Sequence, residues 1–163
     1  MMSQLQKIIE VLLVIYIGLR FNIFSHKIIV SYADQIIYSE KNPDSLFIDI
    51  SLSSKSKNEV IHHLHYYIEQ NKNQIDPIRV LSVLSVLKTQ RIINLESIII
   101  LMNGLNIELD FNGFEKNEIC RLEDQYHLVS NKYVMQTMEE LDAEISSFLN
   151  NYSMKTEILS IFK

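Results

Sequence analysis

The first strong pattern in the chain is a run of apolar residues from Ile8 to Leu19, interrupted by Glu10 and Gly18. A helix formed by such a run has no polar face, and helices of that kind are buried in a protein core or in a membrane. A membrane-spanning helix needs about 20 apolar residues, roughly twice what lies between Glu10 and Arg20. A secretory signal is also disfavoured, because Arg20 and Phe21 stand where a small-residue cleavage site should follow. We therefore predict a buried core helix.

A second helix is predicted after a short turn. Ser25 is suited to cap it, because its hydroxyl can accept a hydrogen bond from a free backbone N–H of the first turn. Apolar residues then recur with the spacing of a single helical stripe. They are Ile28, Ile29, Tyr32, Ala33, Ile36 and Ile37. The stretch from Ile8 to Ile37 is thus predicted to form an antiparallel helical hairpin at the centre of the fold.

Capping residues and hydrophobic spacing predict the later helices. Residues 42–44, Asn-Pro-Asp, break the chain, because proline disfavours the helical region for the residue before it. Ser56 and Glu59 have the spacing of a capping box. The predicted helices run from Ser56 to Lys72, from Asp76 to Arg91, from Asn94 to Gly104, from Glu115 to Val129 and from Lys132 to Tyr152, with a short tail helix from Lys155 to Lys163.

Two segments, residues 45–52 and 105–111, are ambiguous. Both alternate apolar and polar residues as a half-buried strand would, yet Leu46, Phe47 and Ile50 also fit one face of a helix. Helix, strand and loop all remain open for these segments. The predicted fold is therefore all-α: a compact multi-helix bundle of antiparallel hairpins, with at most one short two-stranded β ribbon.

Length and composition support one helical domain over residues 1–163, the size of a single domain by the usual prior. With three glycines and two prolines, the chain is poor in the residues that an all-β fold needs for its turns. Cys120 is the only cysteine, so no internal disulfide can form and a reducing compartment is the simpler assumption. We predict a cytoplasmic protein that needs no cofactor or metal.

The net charge of −5 is concentrated in one part of the chain. Residues 115–144 hold eight acidic and three basic side chains, so this stretch accounts for the whole excess. Nucleic acid is a poor partner for such a protein, because affinity for it comes largely from Lys and Arg neutralising phosphates.

The acidic residues of the last two helices are the sequence's one candidate binding site. Those of the final helix lie outside the line of apolar residues along that helix, so they should project outward. The residues are Glu123, Asp124, Glu139, Glu140, Asp142 and Glu144. They are interpreted either as a solvated, solubilising face or as a docking surface for a basic protein, where complementary charge raises association rates.

Catalytic chemistry has weaker signals. Glu59 and His62 reproduce the Glu-x-x-His spacing of di-iron bundles, but only one copy is present, and such sites need two. No serine or cysteine is placed with a histidine and a carboxylate in a recognisable nucleophile pattern. Cys120 is expected to be a small core residue. No catalytic residue, metal ligand or cofactor site is predicted, although a small enzyme using Glu59, His62 and His63 remains an alternative.

A second alternative is self-association. The predicted last helix carries an apolar seam with alternating steps of four and three, the pattern of a helix packed along a partner. The seam consists of Val134, Met138, Leu141, Ile145, Phe148 and Tyr152. The oligomeric state is otherwise left open by the sequence.

Three short motifs resemble an uncharacterised bacterial family of small helical proteins, known as a domain of unknown function. They are residues 16–19 continuing into Ile28, Ile29, Tyr32 and Ala33; residues 42–44 followed by 46–52; and Asp76, Pro77 and Val80. The resemblance covers most of the chain up to about Met102. It implies a helical fold without assigned chemistry, and some members of that family resemble immunity proteins encoded beside secreted toxins.

The expected function is therefore non-catalytic protein binding. An immunity protein would neutralise its cognate toxin by covering a basic surface or active site. Acidic side chains suit a nuclease toxin in particular, because carboxylates can occupy a groove that evolved for phosphates. The expected partner is a basic toxin domain, and neither nucleic acid nor a membrane is expected as a partner.

Overall fold

The computed structural model describes residues 4–153 and 161–162. The α-helices are α1 (Gln4–Arg20), α2 (Lys27–Ser39), α3 (Ser45–Leu52), α4 (Lys57–Gln70), α5 (Pro77–Thr89), α6 (Leu95–Glu108), α7 (Gly113–Ser130) and α8 (Met138–Asn150). A short 3₁₀ helix lies at Lys72–Gln74. No strand occurs within these described ranges. The all-α fold class is confirmed, and no β ribbon forms from residues 45–52 and 105–111.

The helices fall into two compact units, α1–α4 and α5–α8. In the first unit α1 packs mainly against α4, and α3 packs against α2 and α4. In the second unit α8 packs against α5 and α7, and α6 packs against the same two helices. Because the main neighbours of α1 and α2 are α4 and α3, the predicted α1–α2 hairpin stays a prediction. So does the single domain over residues 1–163.

From Ile9 to Leu19, helix α1 is buried on all its faces, as its apolar pattern predicts. Leu12, Val14 and Ile17 each have 0% of their surface exposed. Glu10 is also buried, and its carboxylate accepts a hydrogen bond from the backbone N–H of Asp76 at 3.3 Å. Within the described residues, no helix combines the length and the apolar character that crossing a membrane requires.

Residues 45–52 form helix α3, so the helical alternative for this segment is correct. Asp44 begins the helix by accepting a hydrogen bond from the Leu46 N–H at 3.0 Å. Leu46, Phe47 and Ile50 are buried together on one side. The helix lies in a unit whose other members are helices, so no neighbouring strand satisfies an extended backbone there.

The predicted end at Gly104 of the helix that begins at Asn94 is wrong. Helix α6 continues through Gly104 to Glu108, and its buried residues Leu101, Met102 and Leu105 keep the helical spacing across the glycine. A glycine inside a helix costs about 1 kcal/mol, whereas burying one leucine contributes about 1.5–3 kcal/mol. Packing therefore outweighs the local preference at this position.

The predicted start of the last helix at Lys132 is also wrong. Helix α8 begins at Met138, after a loop of seven residues that follows α7. Lys132 has a φ of 58°, in the left-handed region, and this conformation ends α7. Most of the predicted tail helix from Lys155 to Lys163 lies outside the described residues.

Candidate functional site

The loop of residues 131–137, here called the α7–α8 loop, holds two large side chains in solvent. Tyr133 is 76% exposed and Met135 is 99% exposed. Leu128, in the last turns of α7, is partly exposed as well. Tyrosine and methionine are enriched where proteins contact each other, so this loop is a candidate contact site.

The beginning of the α7–α8 loop is fixed by the end of helix α7. The N–H of Lys132 donates to the carbonyl of Val129 at 3.0 Å, and the N–H of Tyr133 donates to the carbonyl of Leu128 at 2.9 Å. This pair of hydrogen bonds is a Schellman motif, with Lys132 in the left-handed position that glycine usually occupies. The chain therefore turns away from α7 directly before Tyr133.

A capping box fixes the other end of the loop. The hydroxyl of Thr137 accepts from the N–H of Glu140 at 3.2 Å, and the Glu140 carboxylate accepts from the N–H of Thr137 at 2.8 Å. Each side chain satisfies a backbone donor that the start of α8 would leave free.

A series of hydrogen bonds, here called the Gln136 network, connects the middle of the loop to α7 and α8. Gln125 donates to Gln136 at 2.6 Å, and Gln136 donates to Glu144 at 3.1 Å. Arg121 donates to Glu144 at 2.7 Å and makes two hydrogen bonds to Glu118, at 2.6 and 2.9 Å. The hydrogen bond donated by Arg121 lowers the pKa of Glu118, and the hydrogen bonds that Arg121 donates to Glu118 and Glu144 raise its own pKa.

Three of the six predicted acidic residues are already engaged within the chain. Glu140 belongs to the capping box, and Glu144 belongs to the Gln136 network. Asp142 forms an ion pair with Lys88 at 2.6 Å. Their negative charges are therefore partly satisfied and contribute less to an outward-facing field.

The other three, Glu123, Asp124 and Glu139, form no side-chain hydrogen bond or ion pair with the residues that the structure describes. Asp124 lies one helical turn before Leu128 on α7. Glu139 follows Met135 by four residues, in the first turn of α8. We call this set the acidic–apolar surface; it consists of Glu123, Asp124, Leu128, Tyr133, Met135 and Glu139.

Sequence reasoning identified the carboxylates of this surface but missed Tyr133 and Met135. The prediction of a helix from Lys132 to Tyr152 assigned both residues to a regular helix. The signal that could have found them is the Thr137-x-x-Glu140 pattern, which is a capping box and marks a helix start. Read that way, the pattern leaves the two residues in a loop.

The histidines of α4, which include the catalytic candidates His62 and His63, make ordinary structural contacts. His63 Nε2 lies 3.1 Å from the Ser53 hydroxyl, and the ring of His65 stacks on Tyr16 with centroids 5.5 Å apart. The rings of His62 and His63 meet edge to face at 5.9 Å. Among the described residues, no group of three or more His, Cys, Asp or Glu side chains is placed to hold a metal ion.

Cys120 departs from its expected place in the core. Its side chain is exposed, and the Asn106 amide donates to its sulfur at 3.4 Å. It follows Ile119, which is fully buried, in the sequence. Cys120 therefore lies just outside the side of α7 that faces the core. The prediction of a core cysteine is wrong.

The apolar seam considered for self-association is occupied within the second unit. Leu141 and Ile145 have 0% of their surface exposed, and Phe148 has 5%. Helix α8 packs there against α5 and α7. Val134 precedes the helix and Tyr152 follows it, so neither extends the seam. A second copy of the chain would have to displace these contacts to use this surface.

Comparison with known proteins adds no relative: no family model matches the chain, and no curated protein or solved structure matches it significantly. The resemblance to the bacterial family of small helical proteins therefore stays a prediction.

Proposed function

We propose that this chain is a non-catalytic protein-binding module that neutralises a basic protein, as an immunity protein does with its cognate bacterial toxin. The proposed contact is the acidic–apolar surface. One observation carries the proposal: Tyr133 and Met135 are exposed to solvent on a loop that is held at both ends and in the middle, within about ten residues of three carboxylates that have no partner in the described chain.

The apolar part of the surface would supply most of the binding energy. A few central anchor residues usually dominate an interface, and tyrosine is among the residue types that do so most often. Holding the loop in one conformation before binding reduces the entropy lost on association. The Gln136 network supports such preorganisation, because Gln125 and Glu144 form hydrogen bonds with Gln136, the residue that follows Met135.

The charged part of the surface would raise the association rate and disfavour wrong partners. Glu123, Asp124 and Glu139 attract a basic partner over a distance and repel acidic proteins. A toxin that binds nucleic acid offers a basic groove of the matching sign. We place the module in the cytoplasm, where the exposed thiol of Cys120 stays reduced.

Affinity capture from a lysate of the native host tests the proposal. The immobilised protein should retain one basic protein, and that protein should be released more readily at high salt. The variant Tyr133→Ser/Met135→Ser should fail to retain it, because the loss of two anchors removes apolar contact without changing charge.

A pair of charge variants separates the site from the overall charge. The site variant carries Glu123→Lys, Asp124→Lys and Glu139→Lys. Its matched control carries Glu40→Lys, Asp49→Lys and Asp110→Lys, which lie outside residues 115–144. Both change the net charge from −5 by the same +6. Equal capture by the two variants would contradict this assignment of the site, and capture of an acidic protein would contradict the assignment of the partner.

A further inference from the structure

We propose that a cleft in the second unit binds a small phosphate ester, separately from the acidic–apolar surface. The cleft lies among the end of α5, the loop that follows it, the first turn of α6 and the C-terminal half of α8. Its volume is about 640 Å³, within the range of about 300–1,000 Å³ found for small-molecule sites. Inorganic phosphate alone would leave much of this space empty.

The N-terminus of α6 points unpaired donors at the cleft. Asn94 caps the helix by accepting from the N–H of Ser97 at 2.9 Å, and its carbonyl accepts from Ile98 at 3.1 Å. The N–H groups of Leu95 and Glu96 have no acceptor among the described residues. Asn94 and Leu95 line the cleft. Free N–H groups at a helix N-terminus, together with the helix dipole, favour an anion.

The two helix C-termini at the cleft weaken this preference only in part, because several of their carbonyls already have donors. On α5, Leu87 accepts from Ile92 at 3.0 Å and Lys88 accepts from Arg91 at 3.0 Å. On α8, Leu149 accepts from Tyr152 at 3.0 Å and Asn150 accepts from Ser153 at 3.2 Å. These four oxygens have hydrogen-bond donors from the chain itself, so fewer free acceptors face the cleft.

A serine hydroxyl without a partner on the wall of the cleft is an independent observation that points to a polar occupant. Ser85 lines the cleft and is only 2% exposed. Its hydroxyl forms no hydrogen bond with any residue that the structure describes. Polar groups in such enclosed positions usually have a hydrogen-bond partner, either in the protein or in a bound molecule. An oxygen of a bound phosphate would accept the Ser85 proton.

The charges in the cleft identify the ligand as an anion. Lys88 and Asp142 neutralise each other at 2.6 Å. Arg91 lines the same cleft and has no ion pair with the described residues, so its positive charge is uncompensated. A guanidinium group matches a phosphate with two parallel hydrogen bonds. Ile92 and Leu149 add apolar wall, which suits the organic part of an ester.

Titration of the full chain with inorganic phosphate and with phenyl phosphate, at constant ionic strength, tests the proposal. Amide resonances of Leu95 and Glu96 should shift and saturate with both ligands, and phenyl phosphate should bind more tightly because its ring reaches the apolar wall. The absence of saturable shifts would overturn the proposal. Equal affinity for the two ligands would overturn the assignment to an ester.

Three variants make the test specific to the cleft. Arg91→Asn removes the charge but keeps a residue that tolerates the left-handed φ of 53° found there. Ser85→Ala removes the unpaired hydroxyl and should leave the fold stable. Each should weaken phenyl phosphate binding about tenfold, the loss expected for a hydrogen bond to a charged group. Lys116→Asn, which removes one exposed positive charge on α7, should leave the affinity unchanged; an equal loss would reduce the effect to overall charge and overturn the site.

Discussion

At Gly18 the neighbouring ring of Phe24 leaves no room for a larger residue. An ideal Cβ placed on Gly18 would lie 2.2 Å from the ring of Phe24, which is 6% exposed and meets Phe162 at 5.3 Å between ring centroids. Gly18→Ala should therefore lower the free energy of unfolding by about 1–3 kcal/mol, the usual cost of overpacking a core. Chemical denaturation followed by circular dichroism measures this change.

Gly113 provides the matched control for that substitution. A Cβ there would meet no atom within 4 Å, and the residue stands in the first turn of α7. Gly113→Ala should be neutral or raise the free energy of unfolding by up to about 1 kcal/mol, because alanine has less freedom in the unfolded chain. Similar destabilisation by both substitutions would refute the close approach of Phe24 as the cause.

Lys132 has a backbone conformation that is strained for lysine but not for glycine. Its φ of 58° is costly for a residue with a Cβ, and the Schellman motif at this position favours glycine. Lys132→Gly should raise the free energy of unfolding by about 0.5–1 kcal/mol, or the melting temperature by roughly 1–4 °C for a chain of this size. The same change at Lys116, inside α7, should lower stability by a similar amount. A loss of stability at both positions would contradict the cap.

Tyr152 makes the stability depend on alkaline pH. Burial, the hydrogen bond to Glu115 at 3.0 Å and the negative charge of that residue raise the pKa of Tyr152 to about 12. The folded state thus holds this proton more tightly than the unfolded state does. Its contribution to stability is complete below pH 10, the ordinary value, and is lost as the pH rises towards 12.

The variant Tyr152→Phe checks this dependence. The free energy of unfolding of the parent should fall between pH 10 and 12, and that of Tyr152→Phe should fall less over the same interval. Absorbance of the tyrosinate form should show one fewer late-titrating group. Tyr38→Phe, at a side chain that is 96% exposed, removes a phenol without touching Glu115. A pH profile altered equally by both changes would exclude Tyr152 as the source.

At the scale of helices, the sequence predicts elements well where the deciding contacts are local. Ser56 and Asn94, which the sequence predicts as helix starts, both accept hydrogen bonds from the first turn of the helix that follows them. Such signals need only a few neighbouring residues. The end of α6 depended instead on burial beyond Gly104, which local propensity does not reveal.

The features of the candidate site also divide into those that follow from local patterns and those that depend on contacts between distant residues. Outward projection of the acidic residues follows from helix periodicity, and therefore could be predicted. The ion pair of Asp142 with Lys88 joins residues 54 positions apart, so no local pattern reveals that this charge is compensated. Exposure of Tyr133 and Met135 depended on where α8 begins, which the sequence did record in a capping box.

The Gln136 network should decide how firmly the α7–α8 loop is held. Gln136→Ala removes the contacts to Gln125 and Glu144 without changing the net charge. Backbone amides of residues 133–136 should then exchange with solvent several-fold faster, because local opening costs less free energy. Amides in the middle of α6 serve as the internal control. Unchanged exchange in the loop would show that its two ends are sufficient to hold it.

At the scale of the whole molecule, the uneven charge predicts how association responds to salt. The chain carries −5 overall, and residues 115–144 account for all of it. Steering by such a field weakens as the Debye length falls from about 10 Å at 0.1 M salt to about 3 Å at 1 M. The association rate with the captured basic protein should therefore drop at least about tenfold over that range.

Stopped-flow binding of the captured protein to the parent and to the two charge variants measures this effect. The dissociation rate should rise with salt by a smaller factor than the association rate falls, because the apolar anchors that hold the complex are uncharged. The control variant should keep most of the salt dependence although its net charge equals that of the site variant, since the local field around Glu123, Asp124 and Glu139 is intact. Equal loss of salt dependence in the two variants would mean that total charge governs the encounter and that the acidic–apolar surface has no special part in it.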